Sequence, residues 1–264
     1  MTFLEAIILG IIQGLTEFLP VSSSGHLEIG TVLLGVKSKD NLLFSIVVHG
    51  ATALSTIVVF RNDIILIIKD IFKFEWNDSV EFSLKIILSM IPVGVVGILF
   101  EEKIESFFGG QILLVGSMLL LTGLLLLFTF FKGKTSGSVT FPKAILIGMA
   151  QAIAIMPGIS RSGATISTAL LLGVDKEKAA KFSFLMVLIP ILGATLLKIK
   201  DLIETPELAA DISSISLVAG FTAAFTSGLL ACKWMISIVK KGKLIYFAIY
   251  CFIIGGIAII ASLI

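Results

Sequence analysis

The chain has little charge, little cysteine and little histidine, and it has no long polar stretch. Of its 264 residues only 14% are charged, where soluble globular chains carry about a quarter. The longest polar interval, 61–80, covers about 20 residues, which leaves no room for a soluble domain of ordinary size. The two cysteines, Cys232 and Cys251, both fall in apolar runs and read as packed thiols rather than a disulfide or a metal pair. Two histidines without a His/Cys cluster argue against a zinc site. The start, MTFLEAIIL, carries Glu5 and no basic segment, so no secretory signal is expected there. A formal net charge of +2 selects no class of partner.

What is present is hydrophobicity. Apolar residues make up 57% of the chain and the mean hydropathy is +1.10, which indicates an all-α polytopic membrane protein forming a single integral membrane domain over 1–264. Six apolar runs are long enough to cross a bilayer: about 41–60, 82–100, 111–131, 180–197, 215–239 and 244–264. Each holds roughly 18–25 residues, and a span needs about 20. Pro92, Pro190 and Gly193 inside them are tolerable in membrane helices. Trp76 and Trp234 lie near expected ends, where aromatic belts form.

Two further apolar segments, 4–36 and 144–174, are each cut by a polar, glycine-containing break, LPVSSSG and MPGISRSG. The pieces on either side are about 11–16 residues, too short to span comfortably, which is the pattern of a re-entrant helix–loop–helix. The two segments also match each other. Sliding 9–45 onto 147–183, an offset of 138, gives 11 identities in 37 positions, among them Gln13/Gln151, Ser22/Ser160, Ser24/Ser162, Gly25/Gly163 and Gly35/Gly173. An internal repeat follows, the first copy about 1–135 and the second about 140–264. One re-entrant hairpin plus three spans per copy puts the second copy on the opposite face, an inverted-topology repeat whose site is expected near the midplane where the breaks meet.

Lys and Arg set the expected orientation. The side reached by 61–80, 132–143, 175–181 and 240–243 carries thirteen of them, including Lys134, against five (Lys37, Lys39, Lys103, Lys198 and Lys200) on the other. The first side is then cytoplasmic, both termini lie outside, and the first hairpin opens outward.

Ionisable residues inside the hydrocarbon are functional candidates by default, and here they are Glu17, His26, Glu28, His49, Arg161 and Lys233. Gln13 and Glu17, four apart, share a helix face and offer an amide and a carboxylate to a cation or proton; a helix–helix hydrogen bond is the plain alternative. In PVSSSGH, Ser22 or Ser23 can cap a helix starting near His26, and Gly25 permits an unusual turn. Free N–H groups and the helix dipole make such a turn an anion site, with Ser22, Ser24 and Gly25 lining it. A serine within a turn of a histidine, with a carboxylate nearby, also supplies parts for activated nucleophilic attack. PGISRSG repeats the arrangement, and Arg161 stands where the first copy has Ser23, flanked by Ser160, Ser162 and Gly163. Arginine binds phosphate or carboxylate through paired hydrogen bonds. His49 reads as a buried hydrogen-bonding group and Lys233 as a snorkelling side chain; Glu28 faces another side of its helix than His26. The sum is an oxyanion site suited to a lipid with a phosphate or diphosphate head.

QGLTEFLPVSSSGH at 13–26 and PGISRSGAT at 157–165, with the FSF…P…GAT run at 182–195, resemble the signature motifs of the bacterial undecaprenyl-diphosphate phosphatase family, also called the bacitracin-resistance or BacA/UppP family. The resemblance extends over the whole chain. It implies hydrolysis of undecaprenyl diphosphate to undecaprenyl phosphate and phosphate in the bacterial cytoplasmic membrane, recycling the carrier lipid for cell-wall synthesis and giving bacitracin resistance. It implies dependence on a divalent cation, Mg²⁺ or Ca²⁺, with Glu17 in the acidic motif as its ligand and Gln13 as a second one. It places Ser23, His26, Glu17 and Arg161 in the catalytic set. Gln13 stands where relatives carry Glu or Gln, which weakens a two-carboxylate metal site and shifts weight to Glu17. Attack by serine, histidine or water all remain open. The expected partners are the polyprenyl diphosphate, the bilayer and a second copy in a homodimer, with no nucleic acid. A lipid-phosphate flippase or anion transporter built on the same inverted repeat is the alternative reading.

Overall fold

The structure is a computed structural model and describes residues 1–36, 41–100, 103–104, 106–107, 111–133, 135–204 and 212–263. Lys37, Lys39 and Lys134, counted above for orientation, lie outside the described residues. Within them the chain is helical: α1 (Phe3–Phe18), α2 (Ser23–Leu34), α3 (Asn41–Val59), α4 (Arg61–Ile71), α5 (Asp78–Leu99), α6 (Ile112–Phe130), α7 (Phe141–Ile153), α8 (Arg161–Leu171), α9 (Lys176–Glu204), α10 (Ser214–Lys241) and α11 (Ile245–Leu263). The extended contact among the described residues is an isolated bridge between Gly137 and Val174.

Local chemistry fixes the ends. Thr2 and Glu5 form a capping box at the start of α1, the Thr2 hydroxyl accepting from the Glu5 N–H and the Glu5 carboxylate from the Thr2 N–H. α1 stops at Phe18 because Pro20 pushes Leu19 into extended backbone, φ −72° and ψ 142°. Asn77 caps α5, its side chain accepting from the Val80 N–H, and Asp78 and Glu81 sit in the first turn where the helix dipole favours negative charge.

Among the described residues five helices are long and apolar enough to cross a membrane: α5, α6, α9, α10 and α11. Their bounds fall within about four residues of the apolar runs in the sequence, except that α9 runs on to Glu204, well past the expected end at 197. The sixth run, α3, continues into α4 with a bend of 74°, and the pair passes the same test together. The interval 61–80 is therefore not simply a polar connection. Ile64 and Ile67 of α4 pack against the core, Asp63 pairs with Lys181 of α9, and Asp70 accepts from Ser79 at the start of α5. Helical spacing of isoleucines among charges carries this signal, and averaging over the interval hides it. The arms around the two breaks are short, 16 and 12 residues for α1 and α2 and 13 and 11 for α7 and α8. At 1.5 Å per residue they reach about 16–24 Å, less than the roughly 30 Å of hydrocarbon.

Packing joins the two halves of the chain crosswise. α1 lies on α10, and α7 lies on α5. Gly10 and Gly14 make the first contact close: a Cβ on Gly10 would meet the Gly220 carbonyl, and one on Gly14 would overlap Ser227 and Ala224. In the second contact a Cβ on Gly148 would strike the Ser89 backbone. α6 packs on α11 through Gly116 and Gly255, and Ser55 of α3 donates to the Phe225 carbonyl of α10 at 2.9 Å. The largest buried side chains include Phe182, Leu9, Leu119, Leu126, Ile147 and Met186, drawn from both halves.

Candidate functional site

The two breaks meet. Ser162 donates to the Leu19 carbonyl at 3.3 Å across them. A Cβ on Gly25 would come within 3.3 Å of the Gly158 Cα, and one on Gly163 within 3.3 Å of Pro20.

Local geometry recurs at the offset of 138. Ser22 caps α2 by accepting from the Gly25 N–H, and Ser160 caps α8 by accepting from the Gly163 N–H. The hydroxyls of Ser22 and Ser24 lie 3.3 Å apart, and those of Ser160 and Ser162 lie 3.2 Å apart. Gly35 and Gly173 both take positive φ, 65° and 81°, after the helix. Gln13 and Gln151 are both fully buried, and the Oε1 of each lacks a hydrogen-bond partner. The exception is Ser22 itself. Its φ is 69°, whereas Ser160 has −77°. The left-handed region costs a serine about 1–2 kcal/mol, and such strain concentrates at functional sites.

Ser23 and Arg161 are the first residues of α2 and α8, and both turn to one carboxylate. The Ser23 hydroxyl donates to Glu17 Oε2 at 2.6 Å, and Arg161 Nη2 donates to Glu17 Oε1 at 2.8 Å. Gln13 Nε2 adds a third bond to Oε2 at 2.9 Å. The Glu17 side chain is only 5% exposed and that of Arg161 26%. A carboxylate so buried needs its partners, since an unpaired buried charge is costly. Glu17 sits between two helix N-termini, whose N–H groups and dipoles favour negative charge. His49 and Lys198 also act electrostatically on this centre, His49 on Glu17 and Lys198 on His49. The His49 Nδ1–H donates to the Ser45 carbonyl at 2.8 Å.

His26 is turned elsewhere. Its Nδ1 lies 2.8 Å from the Ser22 carbonyl and its Nε2 lies 2.8 Å from the Tyr250 hydroxyl. The structure thus gives Ser23 a carboxylate partner, and it seats the histidine against the turn behind the serine. Lys233 is exposed on α10. Glu28 follows His26 by two residues on α2.

Two supporting residues escaped the sequence reading. Thr122 of α6 accepts from the Ser160 N–H at 3.1 Å and donates to the Gly158 carbonyl at 3.2 Å. Gly158 has φ 94°, and a Cβ there would strike Val115, so the loop lies flat on α6. The only signal was a lone hydroxyl in LLLTGLLLL. Tyr250 is the other, one of two tyrosines, inside an apolar run.

A cation fits part of this arrangement. Gln13 Oε1 is a buried acceptor without a partner beside Glu17, and hard cations take carboxylate and amide oxygens. No group of three or more His, Cys, Asp or Glu gathers among the described residues. Mg²⁺ commonly binds through one or two protein oxygens with substrate phosphate completing the shell.

The family model described as "Bacitracin resistance protein BacA" matches residues 6–257. The chain is 54% identical over 263 residues to a Bacteroides fragilis protein named "Undecaprenyl-diphosphatase", covering 99% of each. It is 57% identical over 263 residues to a Christiangramia forsetii protein of the same name, covering 98% of each. A Methanobrevibacter smithii protein, again so named, is 39% identical over 282 residues, with 100% of this chain and 99% of the relative covered.

Proposed function

The chain belongs to the bacitracin resistance protein BacA family, and from that premise we infer that it hydrolyses undecaprenyl diphosphate. The products are undecaprenyl phosphate and inorganic phosphate, so the reaction returns the carrier lipid to cell-wall synthesis. The observation that carries the chemistry is the shared carboxylate: Ser23 and Arg161 both hydrogen-bond to Glu17.

In this reading the terminal phosphate binds where the N-termini of α2 and α8 converge, held by their N–H groups and by the Arg161 guanidinium. Glu17 takes the proton of the Ser23 hydroxyl as the oxygen attacks the terminal phosphorus. The bond from that phosphorus to the bridging oxygen breaks, Glu17 passes its proton to the departing undecaprenyl phosphate, and that product leaves. Water then cleaves the phosphoserine, Glu17 accepting the water's proton and returning it to the Ser23 oxygen, and phosphate departs. Gln13 and Glu17 are the residues that would hold Mg²⁺ or Ca²⁺, which supplies neutralisation of diphosphate charge. The Lys and Arg asymmetry supports a multi-pass protein of the bacterial cytoplasmic membrane with both termini outside and the site opening outward.

Purified protein in detergent, given undecaprenyl diphosphate, is expected to release phosphate. Ser23→Ala and Arg161→Ala should each lower the rate by at least about a hundredfold. Near-normal rates in both would overturn the residue assignment. Lipid uptake into vesicles without hydrolysis would replace the enzyme with a carrier.

A further inference from the structure

Tyr250 reaches the first break from α11, a helix to which the reaction above gives no part. Its hydroxyl lies 2.8 Å from His26 Nε2, and the two rings stack, centroids 5.6 Å apart and planes 15° apart. On the other side of the imidazole, Nδ1 lies 2.8 Å from the Ser22 carbonyl. A carbonyl can only accept, so Nδ1 carries the hydrogen, and the acceptor of the neutral ring is then Nε2. The Tyr250 O–H is therefore the donor.

The Ser22 carbonyl also accepts the His26 backbone N–H at 3.1 Å. The same residue holds the left-handed φ of 69°, and Ser23, with its hydroxyl on Glu17, follows it directly. The neighbour of Tyr250 joins in: the Cys251 thiol donates to the Pro20 carbonyl at 3.6 Å. Two consecutive residues of α11 thus grip the break on both sides of Val21.

We propose that Tyr250 is a positioning residue for the reaction. By donating to Nε2 it fixes the tautomer and plane of His26, and through the Nδ1–H it pins the strained Ser22 turn that presents Ser23 to Glu17. The proposal rests on the phosphatase reading for its activity readout and on geometry alone for its spectroscopic one.

Tyr250→Phe keeps the ring and its stacking and removes the donor. Without it the imidazole can take the other tautomer and release the Ser22 carbonyl. Phosphate release from undecaprenyl diphosphate by the purified full chain should then show kcat lowered about tenfold to a hundredfold, the range for loss of an orienting partner. KM should stay within about twofold, because the groups that bind phosphate are intact. In a His26→Ala background, Tyr250→Phe should cost nothing more, since the two act as one unit.

Nitrogen NMR of the histidine rings, with the His26 signals assigned by loss in His26→Ala, supplies the second readout. Wild-type protein should show His26 with a protonated Nδ1 and a hydrogen-bonded, unprotonated Nε2, and Tyr250→Phe should shift the Nε2 signal. The proposal is overturned by an Nε2–H ring in the wild type, by an unchanged kcat in Tyr250→Phe, or by losses that add in the double variant. A wild type that releases no phosphate but shows the stated ring signals sinks the phosphatase reading and leaves the His26 contact standing.

Discussion

Ser23 and Arg161 hold the same place on two helices, the first residue after the cap, and they meet on the same carboxylate. Their residue types were enough to suggest reaction on one side and anion binding on the other. What the sequence withheld was the partner of each. Serine and histidine three residues apart invite a base–nucleophile pair, but the Ser22 carbonyl and Tyr250 claim both ring nitrogens of His26. Glu17, one helix earlier, takes the serine. Glu17→Gln should fold, because an amide oxygen still accepts from Ser23, yet kcat should fall about a hundredfold to ten-thousandfold through loss of the base; phosphate-release kinetics measure it. Ser22 separates strain from capping. Ser22→Gly should match or slightly exceed wild type in detergent unfolding, since glycine relieves the left-handed φ and caps nearly as well. Ser22→Ala, which keeps the strain and loses the cap, should cost about 1 kcal/mol in the same measurement.

At the scale of helices, hydropathy marked the spans because the bilayer demands a minimum apolar length of each, although it did not mark how far α9 continues beyond its apolar run. It also marked both breaks, since proline and hydroxyls inside apolar runs have few other uses. It missed α4, whose charged residues mask isoleucines at helical spacing, and it was silent on Thr122, whose partners Gly158 and Ser160 lie more than thirty residues away. Contacts of that separation leave no trace in a local pattern. Thr122→Val removes an acceptor from the Ser160 N–H and a donor to the Gly158 carbonyl, so about 1–3 kcal/mol of stability should be lost. The Arg161 end of α8 should loosen with it, raising KM for the diphosphate more than Tyr250→Phe does. The seam between α1 and α10 should be less forgiving. Gly14→Leu has no space against Ser227, Ala224 and Gly228, and a sharp fall in the yield of monodisperse protein in detergent is the expected result.

For the whole molecule, the charge asymmetry and the crosswise packing make separate claims. Thirteen of the Lys and Arg residues are assigned to one face, so a single cysteine placed at Lys241 should react with membrane-impermeant reagent only after the inner face is exposed. One placed at Thr2 should react in intact cells; the opposite pattern reverses the orientation. The crosswise packing bears on time as well as on shape. The surface that seats Gly10 and Gly14 belongs to α10, which begins at Ser214. Ribosomes add about 5–20 residues per second, so α1 must wait roughly 10–40 s after its own synthesis before its groove exists. The arm bearing Glu17 is thus made first and seated among the last, and the polar break behind it must be sheltered at the insertion machinery until the chain is nearly complete.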